Sequence, residues 1–152
     1  MHKILNNMQS ENLIQSLIEQ SRQIINQVEK LKVNDLQFLS WKENPNSWSI
    51  LECLEHLNLY SEFYSPQMEH LIKNSKTKNE IEFKSGLLGN YFAKSMLPKA
   101  QLNKMKTFKD KNPLNANLGK TVIDKFIHQQ IKLIDLLTQS RKVSLNKVKI
   151  QT

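Results

Sequence analysis

Four histidines, one cysteine and a few carboxylates are the groups in this chain that could do chemistry. The histidines are His2, His56, His70 and His128, and the cysteine is Cys53. Neutral imidazole is a general base near neutral pH and the commonest metal ligand. His56 is the best placed of the four, because it stands in the stretch WKENPNSWSILECLEHL at the edge of an apolar stripe. Glu52 lies four residues before it, where a carboxylate could orient the ring, although its first expected role is to cap a helix. Tyr60 and Tyr64 follow at helical spacing and could turn hydroxyls toward a pocket, with core packing as the ordinary alternative. Cys53 has Glu52 and Glu55 beside it and no nearby cation, so nothing lowers its thiol pKa. It reads as a small core residue. The chain holds no Gly-x-Ser-x-Gly elbow, no phosphate-cradling glycine loop and no Cys-x-x-Cys.

The elements that must position these groups are helices. Residues 10–33 carry Leu13, Ile14, Leu17, Ile18, Ile24, Ile25, Val28 and Leu31, a broad helical stripe. A first helix is expected over roughly 11–32, with Ser10 as N-cap and Glu11 favourable to the helix dipole. The connector NDLQFLSWKENPNS is rich in turn residues, and its Leu36, Phe38, Leu39 and Trp41 should pack down onto the bundle. Ser49-Ile-Leu-Glu52 is a capping box, so a second helix starts at Ser49 and runs to about residue 73. Its buried stripe is expected to be Ile50, Cys53, Leu54, Leu57, Tyr60 and Tyr64, with His56 on the flank of the core. Trp48 should staple this helix against the first one and the 36–41 connector.

Residues 74–118 change character. Gly86, Gly89, Pro98 and Pro113 lie within the segment and Gly119 just beyond it, and they break any long helix. A short amphipathic helix over 87–97 should turn Leu87, Leu88, Tyr91, Phe92 and Met96 inward. A segment of this length is either a pocket wall or a crossover between bundle helices. A third long helix follows over about 120–140, with Val122, Phe126, Leu133, Leu136 and Leu137 on one side and His128 on the polar side. The last residues, with Val143, Leu145, Val148 and Ile150, look extended.

A chain of 152 residues fits one domain, here 1–152, and is long enough to bury a core. Scarce Gly and Pro and abundant Leu, Ile, Gln, Glu and Lys point to an all-α protein. No apolar run approaches the roughly 20 residues of a membrane span, so no membrane partner is expected. The N-terminal MHKILNNMQSENL has no signal-peptide pattern, and the expected location is the cytoplasm. The net charge of +8 suggests nucleic acid, but the only arginines are Arg22 and Arg141. Arginine is the residue of bidentate phosphate and base recognition, so a nucleic-acid partner is not expected.

Trp48, Ser49, Ile50, Glu52, His56 and Leu57, with Pro45 just upstream, match a Trp-Ser-Ile/Val…Glu…His-Leu pattern. In this the chain resembles the DinB-like superfamily of bacterial helical bundles. FKSGLLGNYFAKSMLPKA, KMKTFKDKNP and SLNKVKI extend the resemblance over nearly the whole chain. The resemblance implies an up-down bundle, homodimers, and a nickel or zinc ion held by three histidines. It further implies a divalent-metal-dependent hydrolase or a transferase of low-molecular-weight thiols acting on small-molecule substrates. His56 matches the metal ligand of the second helix. The His-x-x-x-His pair that supplies the other two ligands is missing, since Lys132 stands four residues after His128 and an ammonium has no lone pair. The resemblance also implies a fourth helix beyond Thr152.

Three helices with broad stripes leave an apolar groove. A second copy of the chain, segment 74–118, the final KVSLNKVKIQT or a further helix would have to cover it. Two functional readings follow. One is enzymatic, with His56 as one ligand of a divalent metal and two ligands from elsewhere. The other is a non-catalytic bundle that binds a small molecule or a protein partner through the apolar groove.

Overall fold

The computed structural model describes residues 8–97 and 106–150. His2, Pro98 and Thr152, together with the Leu88 side chain, lie outside the described residues. Among the described residues the chain is helical apart from one small strand pair. Helix α1 spans Ser10–Glu29, a short α2 spans Leu36–Ser40, α3 spans Ile50–Asn74, α4 spans Leu87–Met96 and α5 spans Thr121–Ser140. Strands β1 (Met8–Gln9) and β2 (Glu82–Phe83) pair antiparallel, with Met8 opposite Phe83.

Helix α5 is the centre of the bundle and packs on both α1 and α3. Ion pairs give the directions. Lys32 pairs with Asp124 and Arg141 with Glu11, so α1 runs antiparallel to α5. Lys125 pairs with Glu55 and Glu62, and Lys132 with Glu69, so α3 runs parallel to α5. The long helices therefore run up, down and down, which departs from the strict alternation expected of an up-down bundle. The reason is the long 75–120 crossover, which carries the chain back to the end where α3 began. The pairs exposed on both sides, such as Lys32–Asp124 and Lys132–Glu69, set register more than stability, since each is worth about 0.2–1 kcal/mol.

The core has two parts. Val28, Leu39, Leu51, Leu54, Val122, Ile123, Phe126 and Ile127 form a dense cluster where α3 and α5 begin. Ile14, Ile18 and Leu137 form a smaller one at the opposite end, with Leu133, Ile134 and Leu145 against it.

Several expectations are corrected. The buried face of α3 is Leu51, Glu52, Leu54, Asn58 and Ser65, and Cys53 and Leu57 are exposed. Leu51, Leu54, Asn58, Ser61, Ser65, Met68 and Ile72 follow an alternating three-four repeat, the seam of a coiled coil. Polar residues fill the middle of that seam, so a stripe drawn through apolar residues alone came out about one residue off. Ser10 is the first helical residue, not the N-cap, which is Gln9. Of the connector's apolar residues only Leu39 is buried, because the five-residue α2 has one inward face. On α4, Leu87, Tyr91, Phe92 and Met96 face outward, since no other element packs extensively on that helix among the described residues.

Up to Lys147 the final segment is not extended. Residues 141–147 form successive turns that fold back over the α1–α5 end of the bundle. Val143 and Ser144 are buried there. The Ser144 hydroxyl donates to Glu80 at 2.7 Å, its N–H donates to Thr77, and the Asn146 amide donates to Glu80. Of the possible covers for the groove, this segment and the 77–83 stretch supply one.

Candidate functional site

The start of α3 is set by a buried carboxylate. Ser49 Oγ accepts from the Glu52 N–H at 3.2 Å, and Glu52 Oε2 accepts from the Ser49 N–H at 2.8 Å, completing the capping box. Glu52 does more than cap. Its Oε1 accepts from Lys42 Nζ at 2.6 Å and from the Asn115 N–H at 2.5 Å. Asn115 sits at φ 63, a left-handed conformation that Asn tolerates, and its side chain also accepts from Lys42. One carboxylate, only 2% exposed, thus ties the connector, α3 and the 113–116 turn together. Burial opposes its charge, but the Lys42 ammonium and the Ser49 and Asn115 N–H groups outweigh that and hold its carboxyl below the usual range. Glu52 is fully engaged here and makes no hydrogen bond to His56, so it does not orient the imidazole.

Two turns into α3, His56 is half-buried between Trp48, with centroids 4.7 Å apart, and Tyr60, edge-on at 4.9 Å. Trp48 thus spends its ring on His56. Tyr60 stacks in turn on Tyr64, and Tyr64 meets Phe63, so the aromatic face continues down the helix. His56 Nδ1 lies 2.8 Å from the Lys111 carbonyl, which only accepts, so Nδ1 carries the hydrogen in that bond. Thr107 Oγ1 lies at the edge of reach, 3.5 Å away. The lone pair of the neutral ring is then on Nε2. This bond pins the Lys109–Lys111 turn, the end of the crossover, onto α3.

Nδ1–H donating to a backbone carbonyl is the usual arrangement of a histidine that ligates a metal through Nε2. The donor set around it does not fit a metal. Among the described residues no group of three His, Cys, Asp or Glu comes together. The ring's neighbours are Trp48, Tyr60, Thr107 and Lys111, whose ammonium lies over Phe63 at 5.4 Å. His70 is exposed and bonds only within α3 to Asn74, and His128 is exposed on α5. Cys53 is exposed too, and partial desolvation with the Glu52 charge pushes its thiol up, away from reactivity.

The interface of α3 and α5 holds a polar spine. Asn58 is fully buried, and its amide donates to Glu55 and to the Val122 carbonyl. Lys125 bridges Glu55 and Glu62; desolvation lowers its pKa, and the two carboxylates more than reverse that.

At the opposite end of the bundle lies a cleft of about 240 Å³. Leu17 comes from α1, Met68 and Ile72 from α3, and Leu145, Val148 and Ile150 from the final segment. Ser140 is the one polar residue in its lining. Sequence reasoning named Leu145, Val148 and Ile150 as a possible cover for a groove, but nothing in their spacing placed Met68 and Ile72 opposite them. Lys42, Asn115 and the Lys111 carbonyl were missed altogether, since each meets its partner across a loop.

No family model matches the chain, and neither a curated protein nor a solved structure does. Among the described residues, no helix is long and apolar enough to cross a membrane.

Proposed function

We propose that this protein is a helical-bundle binding module that takes a small apolar molecule into the cleft between α1, α3 and the final segment. The observation that carries this reading is the cleft's lining, which is apolar apart from Ser140 and drawn from α1, α3, β2, α5 and the final segment. Its volume, about 240 Å³, is below that of drug-sized pockets and above the ~150 Å³ that holds one benzene ring. The occupant is accordingly a one- or two-ring molecule or a short acyl chain. Binding follows from removing apolar surface from water, at about 25 cal/mol per Å². The Ser140 hydroxyl donates to the Leu137 carbonyl, so it can offer a ligand only an acceptor.

Indole and naphthalene serve as probes in calorimetry and thermal melting. Each should raise the melting temperature, and Ile72→Trp, which fills the cleft, should abolish the rise while leaving the protein folded. Absence of heat and of any melting shift at saturating probe would overturn the reading.

A second reading is favoured by one observation, the Nδ1–H bond that leaves the lone pair of His56 on Nε2. In it the protein belongs with the DinB-like bundles it resembles and His56 is one ligand of a nickel or zinc ion, with the other ligands coming from outside the described residues. Such a site would serve hydrolysis or thiol transfer. Titration of the purified protein with zinc or nickel alone tests it: stoichiometric binding lost in His56→Ala supports the metal site, and binding unchanged by that substitution removes it.

A further inference from the structure

The exposed face of α4 is the strongest unexplained feature of the molecule. Leu87 is 94% exposed, Met96 69%, Tyr91 68%, and Phe92 and Leu97 more than two-fifths. Leu87, Tyr91, Phe92 and Met96 fall on one half of the circumference of a ten-residue helix, about 15 Å long, and Leu97 follows as its C-cap. Phe108, beyond it, is also exposed. A face of large apolar side chains on this scale marks an interaction surface.

Charge says what the surface meets. From Lys84 to Lys109 the sequence holds six lysines and neither Asp nor Glu. Lys94, on the helix itself, is exposed, and so are Lys84 before the helix and Lys106 and Lys109 after it in the chain. A second copy of the chain, docked face to face, would bring like-charged segments together, against a net charge of +8 on each. An acidic surface would be attracted. Apolar residues with a Tyr and a Phe on one side, and lysines on the helix and in the stretches flanking it, suit a helix lying in the plane of a membrane interface. The absence of a spanning run does not bear on this, because such a helix lies on the bilayer and does not cross it.

We propose that α4 docks the protein on an anionic lipid surface, with Leu87, Tyr91, Phe92 and Met96 entering the headgroup boundary and Lys84, Lys94, Lys106 and Lys109 facing the lipid charge. Each lysine near such a surface is worth about fivefold in partitioning, and the attraction fades within a Debye length as salt rises. The inference is independent of the cleft, which lies among other residues.

The test is co-sedimentation of the full chain with vesicles of phosphatidylcholine alone and of phosphatidylcholine mixed with phosphatidylserine. Binding is expected to the mixed vesicles only, and to fall steeply with added salt. Leu87→Asp with Tyr91→Ser should weaken it tenfold or more, and Lys84→Glu with Lys94→Glu at least as much. Both pairs are exposed, so thermal melting should stay within a few degrees of the parent. Three results would overturn the proposal: no binding to the mixed vesicles, equal binding by the Leu87/Tyr91 variant, or a concentration-dependent dimer in sedimentation that the same variant dissolves. The last would assign the face to a second copy of the chain.

Discussion

Replacing Glu52 by alanine should be among the most damaging single changes in the chain. The wild-type carboxylate is 2% exposed and receives three donors from three different stretches: Lys42, Ser49 and Asn115. Alanine removes all three bonds. It leaves the Lys42 ammonium, one-fifth exposed, without its counter-ion and two N–H groups without an acceptor. Breaking one side of a buried pair costs about 3–5 kcal/mol. Each orphaned N–H that water cannot reach adds about 1–3 kcal/mol, and water entering the vacated space recovers part of that. A net loss of about 4 kcal/mol is a large share of the ~5–15 kcal/mol that holds a typical domain together. Glu52→Gln keeps one acceptor oxygen, but it loses the charge assistance and turns its NH2 toward the Ser49 N–H or the Lys42 and Asn115 donors, so it should cost about 2–3 kcal/mol, less than alanine. Urea unfolding followed by tryptophan fluorescence measures both, since Trp48 sits beside the Ser49 cap. With m near 2 kcal/mol/M, Glu52→Ala should lower the midpoint by about 2 M at unchanged m. A loss under ~1 kcal/mol for Glu52→Ala would refute the claim that this carboxylate joins connector, helix and turn.

Other outcomes can be checked in the same preparations. The folded-state pKa of Glu52 is depressed, so its stabilisation is full above the unfolded value, about 4.3, and drains away as pH falls below it toward the folded value. Wild-type midpoints should therefore drop more steeply below that pH than those of Glu52→Gln, and parallel curves would contradict the depressed pKa. His56→Ala removes two ring contacts and frees the Lys111 carbonyl, for about 1–3 kcal/mol, and should speed amide exchange in 107–111 before it does so in α5. Ser144→Ala should cost about 1 kcal/mol and expose the final segment to proteolysis, because the Ser144 hydroxyl holds that segment to Glu80; cleavage no faster than in the parent would count against it. Asn115→Val forces a β-branched residue into a left-handed backbone and should destabilise by about 1–2 kcal/mol more than Asn115→Gly, which loses the same bond to Lys42 without the backbone strain.

The three long helices were legible in the sequence because each carries apolar residues at helical spacing over many turns. The α3 start was legible for a separate reason: the Ser49–Glu52 box is local chemistry, complete within four residues. His56 was rightly read as lying on the flank of the core, since a fixed helix start dictates where the seventh residue after the Ser49 cap points. Which residues of α3 are buried was not legible. Asn58 and Ser65 occupy core positions because α5 supplies partners and close packing there, and no property of a lone helix reveals a partner sixty residues away. The same limit applies to the Lys111 carbonyl on His56, to Asn115 on Glu52 and to the turns that bring Leu145 against Leu17 and Ile14. Amphipathic spacing on α4 announced a helix with one apolar side, but only its place in the fold decided that this side faces outward. Spacing along the chain determines which side chains share a face. What that face meets is settled by loop closure and packing between distant segments, whose energies depend on all the partners at once.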